Sequence, residues 1–191
     1  MNNDFEALVR RVAAASAASD LLQPPISAAE LAGAERDLGF RLHPLLAALY
    51  RKAGNGGFGP ADSVLPLRGG PDENWETSAV QAYQDRIPPE GADTWWSWPK
   101  GVVPVLDWGC ARFACVDCHS EDGTVLLFDP NAIGDQDLSR AWFVAAGSLA
   151  EWLVTWLDER GRYEEDAVDG GFGRTRWADA ASRMRSDPAA G

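Results

Sequence analysis

The stretch GNGGFG, Gly54 to Gly59, places four glycines and one asparagine within six residues, and its setting restricts what the surrounding chain can be. Gly and Asn enter left-handed backbone at little cost, which suits either a phosphate cradle or the exit of a helix. A nucleotide cradle needs a strand before the glycines and a helix after them, so that N-terminal N–H groups face the phosphates. Here the order is reversed. Pro44 opens a helix at its first turn, with Leu46, Leu49, Tyr50 and Ala53 on its inner face, and the strand-like SVLPL begins at Ser63. No Lys-Ser or Lys-Thr pair comes after the glycines, so the Walker pattern fails as well. Asn55, Gly56 and Gly57 therefore read as a structural loop between a helical part and a sheet.

The flanking segments predict the rest of an α+β domain. Phe5, Leu8, Val9 and Val12 fall at i, i+3, i+4 and i+7 of an N-terminal amphipathic helix, which Pro24 and Pro25 separate from the second helix. In that second helix Ser27 with Glu30 forms a capping box, Ile26 can staple onto Leu31, and Gly39 suits the exit. GVVPVLDWG, ARFACVD and TVLLFD are strand-like, with a hairpin across Glu121 to Gly123, and Pro104 implies an edge strand or a bulge. Ser148 with Glu151 caps a closing helix whose Leu149, Trp152, Leu153, Trp156 and Leu157 share one face, with Gly161 ending it. A short helix is expected around Trp177 to Met184. N-terminal helices, a central antiparallel sheet and a C-terminal helix packed on it make the fold α+β. The expected organisation is a helix and Pro linker over 1–25, the main domain over 26–165 and a polar extension over 166–191.

The run PPISAAELAGAERDLGFRLHPLLAALYRKAGNGGFG carries a resemblance. Its Glu30, Glu35, Gly39, Pro44 and Asn55-Gly56-Gly57, with Pro44 eleven residues before Asn55, resemble the opening of the SUKH superfamily, bacterial immunity proteins and their fungal cell-wall-regulator relatives. VVPVLDWGCARFACVDCHSEDGTVLLFDPN is similar to the family's central hairpin and SLAEWLVTWLDE to its closing helix, so the likeness spans about Ile26 to Glu159. Residues His43, Leu46 and Ala47 depart from the family pattern. The resemblance implies a binding protein and not an enzyme: a cytoplasmic immunity protein that neutralises a toxin, often a nuclease, by docking onto it. A regulatory scaffold of the same fold with a non-toxin partner is the alternative.

Charge bears on the partner. With 29 acidic and 17 basic residues the chain carries −12. A field of that sign repels phosphate backbones and anionic lipids, so nucleic acid and membranes are excluded as partners and a basic protein surface is favoured. The N-terminus lacks a signal peptide's apolar segment, so a cytoplasmic location with reduced cysteines is expected.

Two clusters could carry chemistry. Cys110, Cys115, Cys118 and His119 contain the spacing C-x-x-C-H and could supply three sulfurs and an imidazole to zinc, which would make a small zinc or redox protein a third reading. Strand alternation opposes this, because Cys115 falls on the face opposite Cys110 and Cys118, so no cofactor is expected. The two histidines, His43 and His119, give a nucleophile few possible bases; His43 reads as a helix-capping or surface residue. In ADTWWSWPKG, Trp95, Trp96 and Trp98 stand beside Glu90 and Asp93. Aromatics with an acidic rim have the makings of a protein-binding hot spot, and the competing reading is a loop folded over the sheet with its tryptophans as a lid.

Overall fold

A computed structural model describes residues 2–69, 74–89, 92, 94–158 and 175–184. Helix α1 (Asn2–Ser16) buries Leu8, Val9 and Val12, the predicted stripe. Helix α2 (Ala28–Leu38) begins at the predicted capping box, where Ser27 Oγ accepts from Glu30 N and the Glu30 carboxylate accepts from Ser27 N. Gly39 ends it at φ 79°, donating its N–H to Glu35 O. Helix α3 (Pro44–Lys52) starts with proline in its first turn and buries Leu45, Leu46, Leu49 and Tyr50. His43 precedes it without a side-chain cap. Its ring is buried against the central hairpin, with Nε2 3.1 Å from Glu121 O, so the expectation of a capping or surface histidine is corrected.

The predicted SVLPL strand is reduced to one bridge, Val64 to Leu106, beside the bond from Leu65 N to Val105 O. A 3-10 turn over Pro60–Asp62 precedes it, and Pro66 has no N–H to extend the pairing. Helix α4 (Ala79–Gln84) was not expected from the polar stretch between Arg68 and Lys100. Ser78 caps it, accepting from Gln81 N, and the Ser-x-x-Gln spacing was the available signal.

The sheet contains β1 (Val102–Gly109), β2 (Arg112–Asp117), β3 (Val125–Phe128) and β4 (Trp142–Ala146), antiparallel in that order. Pro104 lies both on an edge strand and beside a register shift, as its missing N–H demands. Strand β4 was not among the expected strands. Helix α5 (Leu149–Leu157) packs on β4, α1 and α3. Ser148 caps it as expected, but the Glu151 carboxylate accepts from Gly147 N instead of Ser148 N. Helix α4 packs on β1 and α2.

The described part of the C-terminal arm closes with α6 (Ala180–Met184), the expected short helix. Ahead of it, Val144 N donates to Thr175 O and Trp177 N to Trp142 O, so 175–177 runs along the open edge of β4. Trp177 is buried against Trp142. Both sheet edges are thus partly covered, one by Val64 and Leu65 and the other by the arm, which blunts edge-to-edge association. Gly161 lies outside the described residues.

Candidate functional site

The aromatic loop divides into a buried and a presented part. Register pairing places Phe113, Phe128 and Trp142 side by side on one sheet face. Trp98 covers them, its ring centroid 5.0 Å from Phe128 and 4.7 Å from Trp142, with Nε1 donating to Val102 O at 2.8 Å. At 4 % exposure Trp98 belongs to the core and not to a contact surface. Trp96 is half-buried on Phe128, and its Nε1 donates to Arg86 O at 2.9 Å, which fastens the loop to the end of α4. Trp95 leans edge-on to Trp96 and remains 50 % exposed. Among the described residues the exposed large hydrophobics are Trp95 and Ile87, at the two ends of this fastened loop. Glu90 and Asp93, the expected acidic rim, lie outside the described residues.

Arg86 sits beneath the loop. Its guanidinium is 3.9 Å from the Phe113 centroid and 5.5 Å from that of Trp98, and it donates to Ala82 O at 2.6 Å. Burial lowers its pKa, while Cys115, Asp107 and Asp85 oppose that shift. A guanidinium stacked between aromatic faces joins α4, the sheet and the loop into one unit.

The glycine loop commits three of its N–H groups and the Asn55 side chain internally. Gly54 N donates to Leu49 O, Asn55 N to Gln23 O and Gly57 N to Val64 O. Asn55 Oδ1 accepts from Leu67 N at 2.9 Å and its Nδ2 donates to Arg68 O. With these N–H groups spent, the loop cannot cradle a phosphate through them; it ties the stretches around Gln23 and Leu67 to the end of α3. Gly56 and Gly57 have φ of 88° and 73°. A Cβ on Gly56 would stand 2.6 Å from Pro66 N, and one on Gly57 would overlap Leu21 O. Gly57→Ala is expected to cost roughly 3 kcal/mol, combining left-handed strain with overpacking. Gly39→Ala, with a similar φ and nothing within 4 Å of its Cβ, should cost only about 1–2 kcal/mol. Urea denaturation of both variants checks the order.

The cysteines do not converge. Cys110 is exposed in the β1–β2 turn at φ 53°, and Cys118 lies just beyond the far end of β2. About 20 Å of extended strand separates them at ~3.3 Å per residue, whereas zinc ligands must all lie about 2.0–2.3 Å from one ion. Among the described residues no group of three or more His, Cys, Asp or Glu could hold a metal. The set Cys110, Cys115, Cys118 and His119 is therefore not brought together as the alternative required. Cys115 is buried in the sheet, and His119 lies edge-on to Phe40 with its ring against Gly101. Burial lowers the His119 pKa, with Arg183 adding to the effect. Burial pushes the Cys115 thiol up, and pushes Cys118 up to about 12. Cys110 should react promptly with a small disulfide reagent at neutral pH, the partly exposed Cys118 slowly because its thiolate is disfavoured, and the buried Cys115 only after denaturation. Three equally fast native thiols would contradict this packing.

One long-range contact had no local signal. Asp117, 3 % exposed, receives a bidentate pair from Arg183 at 2.8 and 2.9 Å, and Arg183 also donates to Lys100 O at 2.8 Å. Its guanidinium lies 5.4 Å from the Trp177 centroid. This ion pair holds α6 against the start of β1, and Ser97 Oγ, donating to Met184 O at 3.1 Å, adds the tryptophan loop.

Fold and surface together define an α+β domain whose large exposed apolar side chains, among the described residues, sit on one aromatic-anchored loop. The chain belongs to the SMI1 / KNR4 family (SUKH-1), which matches residues 25–155. The match includes the capping box, the glycine loop, the tryptophan loop and the whole sheet, and ends before the C-terminal arm. No curated protein sequence matches the chain. No helix among the described residues is long and apolar enough to cross a membrane.

Proposed function

We propose that this chain is a cytoplasmic immunity-type protein that neutralises a cognate bacterial toxin by stoichiometric docking, without turning over a substrate. The observation that carries this reading is membership of the SUKH-1 family over residues 25–155. A charge of −12 supports a toxin with a basic surface, such as a nuclease, because complementary fields speed encounter and reject like-charged partners. The fastened loop supports a docking face. Trp95 and Ile87 supply apolar anchors and Trp96 backs them; Glu90 and Asp93 fall between them in the sequence and would add acidic charge. Trp98 contributes by holding the loop in place. An anchor immobilised before binding loses little conformational entropy on association.

The test is a pull-down of the product of the adjacent open reading frame, combined with calorimetry and a toxicity rescue assay. Expected are one-to-one binding, rescue of growth, and an affinity about tenfold weaker when salt shortens the Debye length from roughly 10 Å to 3 Å. A neighbour that neither binds nor is neutralised, or purified protein that processes a substrate unaided, would overturn the reading.

A further inference from the structure

We propose that the cleft between the Leu138–Ala141 turn and the C-terminal arm binds a small organic oxyanion, a carboxylate or phosphate attached to an apolar body. The inference is independent of toxin docking, since it concerns a different surface. The cleft, about 370 Å³, has Ser139, Arg140 and Arg176 on its polar side and Trp177, Ala180 and Ala181 among its apolar walls. One side of it comes from residues within the family match and the other from the arm beyond residue 155.

The two guanidiniums are positioned by the fold. Arg176 Nη1 donates to Arg140 O at 2.7 Å, and its guanidinium lies 5.4 Å from the Phe143 centroid. The Arg140 side chain lies across Gly134, where a Cβ would come within 2.8 Å of Nη1. Like charges gathered in one cleft repel, and an anion between them offsets that repulsion. Neither Arg140 nor Arg176 has an ion-pair partner among the described residues, a state they share with Arg10, Arg36, Arg41, Arg51 and Lys100; what sets the two apart is that both line one cleft, in a chain with 12 more acids than bases. The nearby Asp137 carboxylate uses Oδ1 to accept from Ser139 N at 3.0 Å and Ser139 Oγ at 2.6 Å, and makes no direct ion pair with either arginine. The Ser139 bonds lower its pKa most, and Arg140 and Arg176 lower it further, so both cations direct their field to this corner. A planar guanidinium fork matches two oxygens of one anion, and the alanine wall suits what the anion is attached to.

Titration of the full chain with benzoate, acetate and inorganic phosphate, monitored by amide NMR shifts, tests the site. Saturable shifts confined to Arg140, Arg176, Ala180 and Ala181 are expected, with benzoate binding several-fold tighter than acetate. Arg176→Gln should weaken benzoate about tenfold, and Arg10→Gln, at an exposed position of α1, should not. Saturation by phosphate but not benzoate would assign the site to phosphates, and the reverse to carboxylates. Equal affinities for benzoate and acetate would remove the apolar wall from the proposal. Absent or non-saturating shifts with all three anions would overturn it, as would benzoate binding unchanged in Arg176→Gln. Should that variant fail to fold, Arg140→Gln removes charge from the other side of the cleft.

Discussion

Trp98→Ala should destabilise the fold by about 3–5 kcal/mol, the range for emptying a buried tryptophan site. The side chain fills the space between the loop and Phe128 and Trp142, and its removal leaves Val102 O without the Nε1 donor. For a chain of this size that loss lowers the melting temperature on the order of 10 °C. Trp95→Ala should behave oppositely. The residue is half exposed, so its truncation should change stability by roughly 0.5 kcal/mol or less. If the loop docks a partner, the same truncation costs binding about 2 kcal/mol, near thirtyfold in affinity. Denaturation curves beside partner titrations of the two variants separate these effects. A Trp98→Ala protein as stable as the parent would show that the ring is not packed as described.

Breaking the Arg183–Asp117 pair is the second large effect. Arg183→Met leaves a carboxylate 3 % exposed with only the His119 N–H at 3.0 Å beside it. Orphaning one member of a buried pair costs about 3–5 kcal/mol. The lower end is expected, because the Arg183 side chain is itself 23 % exposed. The Arg11–Asp158 pair offers a contrast, with side chains 53 % and 39 % exposed, and its loss should cost under about 1 kcal/mol. Replacing both buried partners, Asp117→Leu with Arg183→Met, should recover part of the loss, since the uncompensated charge is gone, while His119 N and Lys100 O still lose their partners. A thermodynamic cycle over the single and double variants measures the coupling. Strictly additive single effects would show that the two side chains do not depend on each other.

Much of the architecture was legible because it rests on interactions spanning a few residues. Ser27 and Glu30 cap α2 within one turn, Pro44 and Gly39 mark helix ends by backbone geometry alone, and Pro104 declares an edge or a bulge by lacking a donor. The glycine loop was readable for the same reason. Left-handed backbone is a property of single residues, and the order of helix, glycines and sheet is set by the chain itself. The SUKH-1 resemblance likewise rests on such local spacings. Helix α4 has six residues and buries Ala79, Val80, Ala82 and Tyr83, too short a run for a periodic pattern to stand out from its polar surroundings. Strand β4 is five residues long, and its identity comes from pairing with β3 on one side and the arm on the other.

The candidate site shows the same division. Sequence alone determined that three tryptophans share a loop with acids, that the chain is strongly acidic, and that helix and sheet meet at Asn55 to Gly57. Tertiary structure alone decided that Trp98 enters the core while Trp95 faces outward, because three closely spaced aromatics compete for one sheet face and packing admits only some of them. It also decided that Arg183 reaches Asp117 across 66 residues of chain, and that Arg140 and Arg176 share a cleft. Capping and turn chemistry act within a few residues, whereas burial and charge pairing depend on distances that exist only once the sheet and the arm have come together.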